Sequence, residues 1–239
     1  MPRFFCAPVA NGMTAVIGED ARHLAKVLRA KPGEEYTLCD GEGMDYRAVI
    51  TAISAERVDF SIVEAMPNQT EPQCKITLYQ ALPKGEKMDF IIQKAVELGV
   101  TRIVPVLSKY CVSRPTFADF SKKRERYQKI ATAAAKQSGR GIIPVVTELV
   151  SFSDAVEEMA GACSFLCYEH GGDPIDSLVS QNSGQVRMLI GSEGGFSEEE
   201  AVLCRKKGIA WATLGSRILR CETAPLVALT LALHAAEEL

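Results

Sequence analysis

The spacing of apolar positions changes near residue 70, and the change divides the chain. Before it, residues 36–39, 46–53 and 57–63 are short runs with partial apolar–polar alternation, punctuated by Gly33, Gly41 and Gly43. That pattern predicts half-buried strands. Residues 19–30 differ: Leu24, Val27 and Leu28 fall on one side and Arg22, Lys26 and Arg29 on the other, which predicts an amphipathic helix. A small, mostly β domain over residues 1–70 follows. Residues 66–73, MPNQTEPQ, carry two prolines and no apolar period, and read as a linker.

From 73 to 239 strands and helices alternate. Apolar runs at 76–80, 103–107, 142–147, 164–168, 188–190 and 212–214 predict strands, and 87–98, 119–137, 154–159, 198–207 and 225–238 predict helices. In the first of these helices Met88, Ile91, Ile92, Ala95 and Leu98 make a core stripe, with Lys84, Lys87 and Lys94 off it, facing RNA or water. Gly99 and Gly208 stand where helix C-caps belong. Ser197 with Glu200 spells a capping box, and Thr223 before Pro225 suits a helix start. Such regular alternation predicts an α/β fold, a largely parallel sheet covered on both faces.

Composition adds bounds. An apolar fraction of 47% and a charged fraction of 24% suit a soluble globular protein. No apolar run approaches the ~20 residues of a membrane span, and the first residues make a poor secretory signal, so a cytoplasmic location is expected. Eight dispersed cysteines without a CxxC pair read as free thiols of a reducing compartment, and three distant histidines do not suggest zinc. The net charge of −3 argues against a generic nucleic-acid binder. Yet residues 122–140 carry seven Lys or Arg against Glu125 alone, and Arg22, Lys26, Arg29 and Lys31 make a second basic cluster. Each cluster is either a solvated helix face or a surface for a polyanion.

In open parallel sheets, ligands bind beyond the carboxyl ends of the strands. Three such positions are unusual here: YEHGG at 168–172, IGSEGGFSEEE at 190–200 and LGSRILRCETAP at 214–225. Glycine lets a ligand press against bare backbone, although tight strand–helix turns use it too. The G-x-x-G-G at 191–195 lacks both the dinucleotide fingerprint and the P-loop spacing. Glu193 and the acidic run 198–200 would repel phosphate but tolerate a cation such as a sulfonium. Arg217, Arg220 and Glu222 share one loop, where arginine can bind phosphate or stabilise an anion and a carboxylate can accept a proton. The alternative is an Arg–Glu pair that braces the loop. Cys221 between them reads as a packing residue, and Arg140 either caps its helix or grips a phosphate.

Four segments, GEKMDFIIQKAVELGV (85–100), KIATAAAKQSGR (129–140), LIGSEGGFSEEE (189–200) and LGSRILRCETAP (214–225), resemble in order and spacing the RsmE family of 16S rRNA uridine N3-methyltransferases of the SPOUT superfamily. Phe4 and Phe5, HLAKVLR at 23–29 and DGEG at 40–43 resemble that family's small PUA-like β-barrel domain. The chain departs from the family pattern at Ser192, where proline is usual, at Lys136, at Cys221, where threonine is more usual, and at Pro225.

The resemblance implies a PUA-like domain over 1–70 that positions RNA and a SPOUT methyltransferase domain over 73–239 with a deep C-terminal trefoil knot. It implies a homodimer with a shared RNA site, acting on 16S rRNA or the small ribosomal subunit without a metal. S-adenosylmethionine would be held bent within the knot. On that reading Arg220 stabilises the uracil anion and Glu222 accepts its proton or organises the acceptor. Cofactor contacts are expected at Leu166, Glu169, Ile190, Gly191, Glu193, Gly194 and Gly195, and at Leu214, Gly215, Ile218, Leu219, Thr223 and Ala224. RNA contacts are expected at Arg22, Lys26, Arg29, Lys84, Lys87, Arg114, Lys122, Lys123, Arg140 and Arg217. The competing readings are a related methyltransferase acting on tRNA or a ribose 2′-hydroxyl, and a non-catalytic RNA-binding assembly factor. A nucleotide-dependent oxidoreductase is disfavoured by the missing fingerprint.

Overall fold

The computed structural model describes residues 3–239. The chain divides into two units: one runs to Glu71 and includes Ala135–Ile143, and the other comprises Pro72–Ala134 and Pro144–Leu239. The break between Glu71 and Pro72 lies near the change of period, and residues 135–143 belong to the first unit. The physical basis of that membership is Glu71, whose Oε1 accepts Nε–H of Arg140 at 3.1 Å and the backbone N–H groups of Gly141 and Ile142 at 2.8 and 3.0 Å.

The first unit is a five-stranded sheet of β1 (Arg3–Phe5), β2 (Met13–Ile17), β3 (Glu35–Cys39), β4 (Met44–Ile53) and β5 (Arg57–Pro67), in the order β1-β3-β4-β5-β2. Ala7 N–H, just past β1, donates to Ala15 O of β2 at 2.8 Å, so the two edge strands are joined. Phe4, Leu24, Leu38, Ile50 and Phe60 fill the core. The predicted linker starts two residues late, because β5 runs on to Pro67.

The predicted helix at 19–30 is also shorter. α1 (Glu19–Arg22) passes into a π-helical turn, His23–Val27, and Leu28 N–H reaches back to His23 O at 3.0 Å. Arg29 at φ 52° ends it. The wider turn carries Val27 and Leu28 away from buried Leu24, leaving them 66% and 37% exposed.

The second unit holds β6 (Lys75–Ala81), β7 (Arg102–Leu107), β8 (Val145–Val146), β9 (Val150–Ser151), β10 (Cys163–Cys167), β11 (Asp173–Pro174), β12 (Gln185–Ile190) and β13 (Ala210–Thr213). They form one sheet in the order β11-β13-β10-β12-β6-β7-β8, with β9 also on β7, and the pairings are parallel. The strand predicted at 142–147 shrinks to β8, since Pro144 has no N–H to give to a ladder. The helices are α2 (Lys87–Glu97), α3 (Phe117–Ser138), α4 (Phe152–Met159), α5 (Ile175–Leu178), α6 (Glu198–Lys206) and α7 (Ala224–Ala235). Met88, Ile91, Ile92 and Ala95 of α2 are buried, as their spacing requires. The capping box of Ser197 and Glu200 is formed at the start of α6.

For function the key fact is local. β13, β10 and β12 are neighbours, with Leu166 level with Leu189 on one side and Trp211 on the other. Their carboxyl ends, and the three glycine-bearing loops that leave them, therefore emerge side by side. No helix among the described residues is long and apolar enough to cross a membrane.

Candidate active site

The three loops enclose a cavity of about 310 Å³. One wall is Ile190–Gly191 with Ser192, Glu193 and Gly195; a second is the run from Ala212 to Glu222; a third is Cys167, Tyr168 and Glu169. Glycine is demanded at specific points. A Cβ on Gly191 would sit 3.0 Å from Gly195 Cα and 3.2 Å from the Phe196 ring. Gly195 has φ +62°, and a Cβ there would meet Glu169 Oε2 at 2.9 Å. The loop is tied back by Gln80, fully buried at the end of β6, whose Nε2 donates to Gly191 O at 3.2 Å. Ser192 Oγ lines the cavity, is buried, and has no hydrogen-bond partner among the described residues.

Charge gathers at the mouth. Lys87, at the start of α2, places Nζ 2.7 Å from Glu193 Oε1 and 3.7 Å from Glu222 Oε2. Cys221 Sγ–H donates to Glu222 Oε2 at 3.2 Å. The thiol's hydrogen bond, with smaller contributions from the Lys87 and Arg220 charges, holds the Glu222 carboxyl below the usual carboxylate range. Burial works against ionisation of Glu193, but the Lys87 hydrogen bond prevails and its carboxyl is also held low. Lys87 is pushed up by the same bond. Burial, and the carboxylate it faces, push the Cys221 thiol up to about 12, so it is a neutral donor and not a nucleophile. Arg217 and Arg220 line the cavity, are exposed, and their guanidinium groups make no hydrogen bond among the described residues.

Of the expected cofactor contacts, Glu169, Ile190, Gly191, Glu193 and Gly195 reach the wall, as do Leu214, Gly215, Ile218, Leu219 and Ala224. Leu166, Gly194 and Thr223 lie off it. Leu166 is wholly buried within β10, Gly194 backs onto Tyr110, and Thr223 is the N-cap of α7 without a side-chain bond. Sequence reasoning missed Tyr168, Ser192 and Cys221 as wall residues. Ser192 carried a signal, a polar side chain inside a glycine loop, and Tyr168 opens the strand-end segment YEHGG; Cys221 read as a packing residue.

The expected RNA contacts scatter. Lys87 and Arg217 belong to the cavity. Lys26, Arg29 and Lys84 are exposed, as are Lys122 and Lys123 on α3. Arg22 is exposed but paired with Glu56 at 2.9 Å, and Arg114 donates to the carbonyls of Ser108 and Lys109 at 3.3 and 3.2 Å. Arg140, expected at the RNA surface, is instead buried: it is only 2% exposed and held by Glu71.

Comparison with known proteins gives this geometry a family. Residues 69–233 match the RNA methyltransferase domain, and residues 16–63 the RNA methyltransferase PUA domain. The chain is 35% identical to the ribosomal RNA small subunit methyltransferase E of Mesomycoplasma hyopneumoniae, over 96% of this chain and 98% of that one. It is 31% identical to the protein of that name in Bacillus subtilis, over 90% and 88%. Among solved structures, the ribosomal RNA small subunit methyltransferase E of Neisseria gonorrhoeae bound to S-adenosyl methionine superposes with a TM-score of 0.88 at 33% identity, covering 98% of this chain and 97% of that one. The chain belongs to the RNA methyltransferase family, in the group of the ribosomal RNA small subunit methyltransferases E.

Proposed function

We propose that this protein transfers the methyl group of S-adenosylmethionine to N3 of one uridine in 16S rRNA. The observation that carries the reading is the walled cavity at three adjacent strand ends, in a chain 33% identical to one crystallised with that cofactor. The residues present fit such a ligand. The side-chain-free approach at Gly191 and the partnerless Ser192 Oγ await a polar molecule lying against backbone. A volume of about 310 Å³ is at the small end of the usual range for small-molecule sites.

When bound, S-adenosylmethionine supplies an electrophilic methyl on a sulfonium. The protein's part is to prepare the nucleophile. N3 of uracil is protonated at neutral pH, so its proton must leave and the resulting anion must be favoured. Glu222, already ionised and opening on the cavity, is the proposed acceptor, and unpaired Arg220 two residues before it supplies positive charge for the uracil oxygens. The base leaves its stack to reach them. Exposed Lys122 and Lys123 on α3, and Lys26 and Arg29 in the first unit, are proposed to hold phosphates, which position without reading sequence.

A trefoil knot and a homodimer belong to the same proposal. From β13 the segment at 214–223 leads into α7, which packs on β6, β12 and α2 beyond β10, the crossing a knot needs. α7 is mostly apolar, with Thr230 and His234 exposed on one face, and leaves Leu231 40% exposed; Ile218 at the cavity rim is 85% exposed. Ile218, standing in water beside the cavity, is the side chain proposed to be covered by the second copy.

The test is mass spectrometry of nucleosides from small-subunit rRNA of a strain lacking the gene. Loss of 3-methyluridine, restored by the intact gene, supports the reading. Unchanged 3-methyluridine with loss of a ribose methyl would move the target to a 2′-hydroxyl.

A further inference from the structure

Three segments far apart in sequence meet at the mouth of the cavity: the start of α2, the loop after β12 and the loop before α7. Their meeting point is the Lys87 ammonium, between Glu193 and Glu222. Glu193 is anchored a second time, accepting the backbone N–H of Lys84 at 3.0 Å. Glu222 is faced by the Cys221 thiol and by the charges of Lys87 and Arg220, with Glu193 across Lys87.

A lysine in this setting is a poor phosphate ligand. Its positive charge is already engaged by two carboxylates, at 2.7 and 3.7 Å, which leaves little of it to attract a phosphate. Arg217, exposed in the same cavity, is free for phosphate contacts. Lys87 therefore has a different task.

We propose that Lys87 is a positioning residue for methyl transfer: its ammonium ties the loop of Glu193 to the loop of Glu222 and keeps the Glu222 carboxylate aimed into the cavity. The proposal rests on Glu222 being the proton acceptor. Losing the tie lets the carboxylate swing, and misplacement by about 1 Å can cost up to ~100-fold in rate. The cost falls on turnover, not on RNA capture.

The test compares Lys87→Met and Lys87→Arg with wild type. Small ribosomal subunits from a strain lacking the gene serve as substrate, with labelled S-adenosylmethionine. Lys87→Met is expected to lower kcat by about tenfold to a hundredfold, with KM for the subunit and Kd for S-adenosylmethionine within about threefold of wild type. Lys87→Arg should recover most of the loss. Added to Glu222→Gln, Lys87→Met should cost nothing further in residual turnover. Three results overturn the proposal while leaving Glu222 in place: a raised KM at unchanged kcat, lost cofactor binding, or a loss that adds in full to that of Glu222→Gln. Wild-type turnover of Glu222→Gln would remove the acceptor itself, and the role of Lys87 with it.

Discussion

The thiol of Cys221 donates to Glu222 Oε2 at 3.2 Å, one residue's side chain setting the ionisation of the next. This bond is the leading reason that the Glu222 carboxyl is held low. Its removal in Cys221→Ala should raise the carboxyl's pKa. If ionised Glu222 accepts the proton, the acid limb of kcat/KM against pH then moves to higher pH. Cys221→Thr restores a donor and should return the limb to its wild-type place. A limb unmoved by Cys221→Ala would separate Glu222 from the titration that governs the rate.

Burial pushes the thiols of Cys204 and Cys221 up to about 12, so neither supplies thiolate at pH 8. Intact-mass and peptide analysis after iodoacetamide at that pH should find both unmodified in the folded protein and both labelled in urea. Rapid native labelling at Cys221 would show a thiol more open than the structure has it.

Gly191 and Gly184 offer a matched comparison. A Cβ at Gly191 presses on Gly195 and Phe196, while one at Gly184 meets nothing within 4 Å. Gly191→Ala should weaken S-adenosylmethionine by about tenfold or more, the scale of ~1.4 kcal/mol, and Gly184→Ala should leave it unchanged. Equal effects in calorimetry would mean that the ligand does not rest on the Gly191 backbone.

Much of this site is legible in the sequence because it is built from local rules. The loops at 190–200 and 214–225 announce themselves by glycine at strand ends, and the α2 stripe and the Ser197–Glu200 box follow from periods of three and four. What is not legible depends on partners distant in sequence. Lys87 lies off the apolar stripe and looks like a water- or RNA-facing lysine until Glu193 and Glu222 are brought to it. Arg140, at the end of a basic helix, looks like a phosphate contact until Glu71 closes on it from 69 residues away. The π turn at His23–Val27 preserves an amphipathic pattern in sequence while rotating its end off the core.

That burial gives Arg140 a predicted cost. Removing one partner of a buried ion pair leaves the other charge uncompensated, at about 3–5 kcal/mol. Arg140→Met should therefore lower unfolding stability by that order in urea, with Glu71, 12% exposed in its side chain, left facing two backbone N–H groups alone. A variant as stable as wild type but weaker for RNA would return Arg140 to the RNA surface.

The cavity of Gly191, Gly195 and Gly215 is the proposed seat of S-adenosylmethionine, with its methyl presented to Glu222. A crystal structure of the protein grown with saturating cofactor tests it directly. The ligand is expected in that cavity, against the backbone of Gly191 and within hydrogen-bond reach of Ser192 Oγ, its methyl on the side of Arg220 and Glu222. An empty cavity with cofactor bound elsewhere, or a methyl turned away from Glu222, would contradict it.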